Sequence, residues 1–198
     1  VTLLKDPKNQ IPLTDVNNFG KIASLSLGVK ERSPFQKMLT KFGITKHLFA
    51  NQSFDSKDIV KQLKPYETVI INLMDMSIRQ SKKYGISQDQ FDIIYNLNTS
   101  KNVILIIHGT PYALQYFTMI PTIIQAYEDD ILMQEAVAQA LMGVTDIQGT
   151  LPVTAHPEFP VKMGIKKASL HTLGFASPEF VGMNSDSLLM IDTIVDEM

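Results

Sequence analysis

Polar and ionisable residues recur at one kind of place in this sequence, directly after an apolar run that reads as a buried strand. Asp75, Ser77 and Arg79 follow Glu67–Leu73, His108 and Gly109 follow Asn102–Ile107, and Tyr127, Glu128 and Asp129 follow Pro121–Ala126. Gly28 follows Lys21–Leu27 in the same way. In an open parallel sheet, ligands bind beyond the carboxyl ends of the strands, so these residues share one candidate edge. The candidate site is therefore Asp75, Ser77, Arg79, His108, Tyr127 and Glu128, with Asp129 beside it. Glu128 and Asp129 could act as acid or base groups. Their place before a helix equally suits capping and complementing the helix dipole. His108 could serve as a general base, and its plainer role is a hydrogen-bonded histidine at a strand end.

Other chemistries lack their residues. Cysteine is absent from the 198 residues, which removes disulfides, thiolate nucleophiles and cysteine metal sites. His47, His156 and His171 are scattered without metal-ligand spacing, so no metal site is expected. Gly28-Val29-Lys30-Glu31-Arg32 lacks the glycines of a phosphate-binding turn, and no G-x-S-x-G elbow occurs. No cofactor is called for. A net charge of −2 and a pI near 6.1 leave no basic footprint for nucleic acid. No apolar run reaches the ~18 residues of a transmembrane span. Hydrophobic residues at 44% and charged residues at 19% fit an ordinary globular core.

The elements that must position these groups follow a strand–helix rhythm. Strands are expected at Lys21–Leu27, about Thr45–Ala50, Glu67–Leu73, Asn102–Ile107 and Pro121–Ala126. Val69-Ile70-Ile71 is the continuous apolar run of a strand covered on both faces. Helices start at Ser33-Pro34, near Asp55, at the Ser87/Gln90 capping box, at Thr110-Pro111 and at Asp129 or Asp130. Leu132, Met133, Ala136, Val137, Ala140 and Leu141 mark the inner stripe of the last of these, which Gly143 ends. Five βα units in succession predict a three-layer α/β/α sandwich, flavodoxin-like, with a mostly parallel sheet of five to six strands. Pro152–Thr154 is the candidate for a sixth, edge strand. The proline-rich stretch 156–178 reads as a linker wrapping the domain.

Several segments resemble the second domain of glycoside hydrolase family 3 enzymes. Val1-Thr2-Leu3-Leu4-Lys5-Asp6 and Ile11-Pro12-Leu13 resemble that domain's entry. His108-Gly109-Thr110-Pro111-Tyr112 is similar to a turn of the β-N-acetylglucosaminidase branch. Ala126-Tyr127-Glu128, Gln134-Glu135-Ala136 and Ala140-Leu141-Met142-Gly143 resemble the same branch, and Gly149-Thr150-Leu151-Pro152-Val153 resembles an ending common to the family. The resemblance covers about residues 1–155. Residues 179–198 are similar to the opening of a serine β-lactamase-like domain, without its S-x-x-K nucleophile motif.

The resemblance implies an accessory, active-site-shaping domain of a retaining exo-β-N-acetylglucosaminidase in bacterial cell-wall or amino-sugar turnover. The catalytic aspartate would lie on a preceding barrel domain of the same polypeptide. Family members acting on glucosides take an acid/base Glu from the loop after the third strand. Here that loop, Met74–Ile86, holds no Glu and one carboxylate, Asp75. The N-acetylglucosaminidase branch instead protonates through a His–Asp pair on a barrel loop, so no catalytic residue of the usual pair is expected in this chain. The implied partners are the barrel, the downstream β-lactamase-like domain and the parent's carbohydrate substrate. A periplasmic or secreted parent is compatible with that setting.

Two readings of another class remain: a stand-alone flavodoxin-like domain binding a small ligand at the polar edge, and a hydrolase using His108 with Glu128 or Asp129. The chain begins at Val1 and ends inside a helical pattern, which reads as two cuts in a longer polypeptide. Met74, Met76, Ile78 and Tyr84 are expected to be exposed where a partner domain docks. Ser185–Met198 is expected to form a helix outside the α/β core.

Overall fold

The computed structural model describes residues 1–14, 21–51, 53–170, 174–175, 178–188 and 190. Five parallel strands form the sheet: β2 (Ile22–Leu27), β3 (Lys46–Ala50), β4 (Thr68–Leu73), β5 (Asn102–Ile107) and β6 (Thr122–Gln125). A sixth strand, β1 (Thr2–Lys5), pairs antiparallel with β6. The spatial order is β1-β6-β5-β4-β2-β3. The five parallel strands thus follow the flavodoxin-like order, with β1 added at one edge. The expected edge strand at Pro152–Thr154 is instead loop. Pro152 has no N–H to give a ladder, whereas Thr2-Leu3-Leu4 presents a full set of backbone donors and two buried leucines.

Four α-helices cover the sheet: α1 (Pro34–Lys41), α2 (Ser56–Leu63), α3 (Gln88–Ser100) and α4 (Ile131–Leu141). Their starts are written in the sequence. Ser33 and Ser87 each form a full capping box with Gln36 and Gln90, Asp55 caps α2, and Asp130 caps α4. One face of the sheet packs Leu25, Ile71, Leu105 and Ile123 against α2 and α3 through Ile59, Leu63, Phe91 and Ile94. The other packs Ile70, Ile104 and Ile124 against α1 and α4 through Phe35, Leu39, Val137 and Leu141. The architecture is a three-layer α/β/α sandwich. No helix among the described residues is long and apolar enough to cross a membrane.

Two expectations about exposure fail in part. The buried stripe of α4 is Gln134, Val137, Ala138, Ala140 and Leu141 with Met133 packed against the core, so Val137, Ala140 and Leu141 lie inside as expected, while Leu132 is 78% exposed and Ala136 faces solvent. Leu132 stands two positions, about 200°, from the buried Gln134 and so falls on the outer face of the helix. In the Met74–Ile86 loop, Met74, Tyr84 and Ile86 are core residues and Met76 packs against the core. Only Ile78 of the four expected residues projects freely, at 87% exposure. The loop gains its hold from Tyr84, whose ring meets Tyr116 at 6.2 Å between centroids.

Residues 143–170 are tied back onto the β1 edge. Leu151 N–H donates to Met163 O, Ile165 N–H to Leu3 O, and Phe159 is fully buried. The Asp6 carboxylate, itself buried, accepts from the Gln10 and Ile11 N–H groups and pairs with Lys167 at 3.1 Å. Residues 185–188 are helical, and the rest of the expected Ser185–Met198 helix, except Met190, lies outside the described residues.

At the opposite edge, His47 on β3 closes a ring of hydrogen bonds over α1. The Gln36 side-chain amide donates to Ser24 Oγ at 3.0 Å, and Ser24 O–H reaches His47 Nδ1 at 2.7 Å. His47 Nε2 meets Thr40 Oγ1 at 3.0 Å, and Thr40 returns the bond to the Gln36 carbonyl. This ring is satisfied when the imidazole is neutral, with its proton on Nε2. Burial, aided by the Arg32 guanidinium, lowers the His47 pKa from 6.5 to about 4. The unfolded chain therefore binds a proton near pH 6.5 that the folded chain refuses until about 4. The stabilisation is complete above pH 6.5 and is lost as pH falls through that window. Urea midpoints measured across it should fall more for the native protein than for His47→Gln. Parallel curves for the two proteins would contradict this assignment.

Candidate functional site

Strands β4, β5 and β6 end side by side, with Leu73 opposite Ile107 and Ile107 opposite Gln125. The residues just beyond enclose an open cleft of about 500 Å3. Met76, Ser77 and Ile78 form one wall, His108 to Pro111 the floor, and Tyr127 to Asp130 the other wall. Of the six residues singled out in the sequence, Ser77, His108, Tyr127 and Glu128 line this cleft. Asp75 joins its wall from behind, where its backbone N–H donates to Asp129 Oδ2 at 3.2 Å. Arg79 is not among the lining residues; its N–H is turned to Ser77 Oγ at 3.1 Å, at the start of the 3-10 turn Gln80–Gly85.

The cleft does not sit at the topological switch point between β2 and β4, where an open sheet ordinarily offers its crevice. Gly28, at φ +95°, lies so close to β4's exit that a Cβ there would stand 2.4 Å from the Met74 carbonyl oxygen. The switch-point crevice is thereby closed by backbone. The opening moves one position along, over β5.

His108 is 1% exposed, and its Nδ1 lies 2.6 Å from the Glu128 carbonyl oxygen. A carbonyl only accepts, so Nδ1 carries the proton and Nε2 keeps its lone pair. Nε2 is buried and has no protein partner. Burial pulls the His108 pKa below the ordinary value, while the Glu128 carbonyl and the Asp129 and Asp130 charges push the other way. The neutral ring thus holds the β6–α4 turn in place as a donor, through Nδ1–H. As a general base for bulk substrate, it is sealed off.

Two further polar groups lie under the same edge and escaped the sequence reading. Asn72 and Gln125 are fully buried, and Asn72 Oδ1 and Gln125 Oε1 have no partner. Gln125 Nε2 donates to Gly109 O at 2.7 Å, which fixes the β5 exit. The signal was present: each is the lone amide in a strand otherwise built of β-branched and aliphatic residues. Gln134, another missed residue, reaches back from α4 to Asp129 O at 2.6 Å and accepts from Phe35 N–H.

Two backbone positions on the cleft wall are left-handed without being glycine, Asp75 at φ 54° and Tyr127 at φ 70°. Such positions cost energy and persist only when neighbours fix them. Tyr127 is fixed by its hydroxyl, 2.9 Å from Thr2 Oγ1 and 3.3 Å from Thr150 O. Ile78 of the lining is exposed, and so are Tyr112, Ile131 and Leu132, which follow lining residues in the chain. Among the described residues, no group of three or more His, Cys, Asp or Glu side chains could hold a metal ion.

The fold is shared with solved glycosidases at low identity. A fungal multi-domain GH3 β-N-acetylglucosaminidase superposes over 72% of this chain at 20% identity and a TM-score of 0.55. A β-N-acetylglucosaminidase of the same family from Paenibacillus matches 72% of the chain at 17% identity and 0.53. A β-glucosidase from Erythrobacter marinus matches 83% at 14% identity and 0.61. The aligned part is 16%, 28% and 33% of those chains, so this chain corresponds to a portion of each. No family model and no curated protein matches the sequence.

Nitrogen-detected spectra should show His108 protonated at Nδ1 at neutral pH and titrating below the ordinary histidine value. An Nε2–H tautomer would contradict the assigned bond to Glu128. Tyr127→Phe removes two hydrogen bonds that hold a left-handed residue and should cost about 1–2 kcal/mol of stability. Chemical denaturation measures it.

Proposed function

We propose that this chain is the α/β domain of a glycoside hydrolase family 3 enzyme, and that its cleft is one wall of an active site completed by a second domain. The observation that carries this reading is the composition of the cleft edge. The opening has carboxylates on one wall and the exposed Ile78 on the other, and Tyr112, Ile131 and Leu132, next to lining residues in the chain, are exposed as well. A docked domain would bury them, and intrachain domain interfaces commonly cover ~600–1,500 Å². The fold of the multi-domain glycosidases supports the same reading.

Within that proposal the parent enzyme is a retaining exo-β-N-acetylglucosaminidase, and the reacting groups come from the partner barrel. The loop after β4 supplies no Glu, and its Asp75 has its backbone turned onto Asp129 rather than into the opening. Glu128 and Asp129 stand at the N-terminus of α4, where their carboxylates accept hydrogen bonds from sugar hydroxyl groups at the outer side of the site. His108 sets the position of Glu128 through its carbonyl and acts as a positioning residue. The same reading takes residues 179–198 as the opening of a following β-lactamase-like domain.

The isolated chain should leave aryl N-acetyl-β-glucosaminides unhydrolysed, because it carries no pair of opposed carboxylates across a scissile bond. Turnover that disappears in Glu128→Gln or Asp129→Asn would overturn the assignment and make the chain a hydrolase in its own right.

A further inference from the structure

Away from the cleft, α2 and α3 lie side by side over one face of the sheet and leave a groove of about 580 Å3 between them. Lys57, Val60 and Lys61 of α2 and Lys64 at its C-cap fall on one stripe, at i, i+3, i+4 and i+7. Asn96 and Ser100, one turn apart on α3, form the facing wall. Val60 packs against the core and floors the groove together with the lysine stems. Lys101 closes the lower end, its ammonium donating to the Lys64 and Tyr66 carbonyls at 2.9 and 2.6 Å.

The charge here is unbalanced. No carboxylate lines the groove, and none of the three ion pairs among the described residues involves Lys57, Lys61 or Lys64. The nearby carboxylates of Asp58 and Asp92 accept from Gln62 and Gln88 instead. Three ammonium groups on one helical stripe repel each other, which costs stability unless a partner answers them. In a chain of net charge −2, that concentration of one sign is a local exception.

We propose that this groove is a docking site for an acidic amphipathic helix of a partner protein. The groove chemistry selects that occupant over others. An apolar floor between two helices takes aliphatic anchors at helical spacing, and the lysine stripe at i, i+4, i+7 matches glutamates repeated with the same period. A phosphate polymer needs no apolar floor. A neutral glycan ordinarily stacks on aromatic rings, and none lines the groove. The site is independent of the cleft and of the activity proposed for it.

The probe is a synthetic peptide of about 15 residues, long enough to form a helix once docked, with leucines and glutamates at that spacing. Calorimetric titration of the full chain should show saturable binding that weakens as salt rises. Lys57→Glu/Lys61→Glu should weaken it by at least about tenfold, while the charge-matched surface variant Lys30→Glu/Lys37→Glu leaves it unchanged. Circular dichroism of both variants checks that the exposed substitutions leave the fold intact. Amide shifts on binding should fall on residues 57–64 and 96–101. Absence of saturable binding would overturn the proposal. So would equal binding of inorganic polyphosphate, or of a peptide with its leucines replaced by serine, because either outcome reduces the groove to a charge patch.

Discussion

A parallel sheet covered on both faces leaves its polar groups only one way to meet a ligand, through the strand ends. Every residue of β2 and β6 is buried, and so are Ile70, Ile71, Ile104 and Leu105 in the middle of the sheet. Each strand must therefore stop being apolar near its carboxyl end, and the residues just past that point carry whatever chemistry the domain has. Asn72, His108 and Gln125 sit at this change of character. The His108 imidazole and the Gln125 amide fix the exits of β5 and β6 relative to one another, while the Asn72 amide donates to Met74 Sδ within the β4 exit. The exits in turn fix Met76–Ile78, Gly109–Pro111 and Tyr127–Asp130 around the cleft.

The position of that cleft follows from a single close approach. Gly28 against the Met74 carbonyl leaves no space at the switch point, so the opening forms beside it. There the Asp130-capped start of α4 and the Glu128 carbonyl held by His108 define one side. The residues with potential reactivity are largely occupied in building the wall. His108 uses one nitrogen for Glu128 and hides the other, Asp130 caps α4, and Asp129 accepts from Asp75. Glu128 combines a place on the wall with a side chain free of such a building role. In the proposed reading, a wall of this kind shapes and orients a substrate. It supplies no pair of opposed carboxylates, which glycoside hydrolysis requires.

Much of this arrangement was legible in the sequence, for definite reasons. The capping residues Ser33, Asp55 and Ser87 mark their helices because the first N–H groups of a helix need acceptors wherever it lies. Unbroken runs such as Val69-Ile70-Ile71 mark strands because both faces are covered. The polar edge followed from those strand ends. What escaped was set by long-range packing. Thr2-Leu3-Leu4 becomes a strand only because β6 offers an open edge. Tyr84 becomes core only because Tyr116 is brought beside it. Leu132 stays exposed because it stands on the face of α4 opposite the buried Gln134. His47 is held below its ordinary value because folding buries it and sets the Arg32 guanidinium nearby, while Ser24 and Thr40 engage its ring nitrogens.

The central claim is that the cleft is half of a sugar site. Its most direct test is to titrate the isotope-labelled chain with N-acetylglucosamine and follow every backbone amide. The account predicts weak, millimolar-range binding, on the order of 4 kcal/mol of free energy, with shifts confined to residues 76–78, 108–111 and 127–130. Shifts clustered elsewhere on the domain, or micromolar binding by the chain alone, would contradict it.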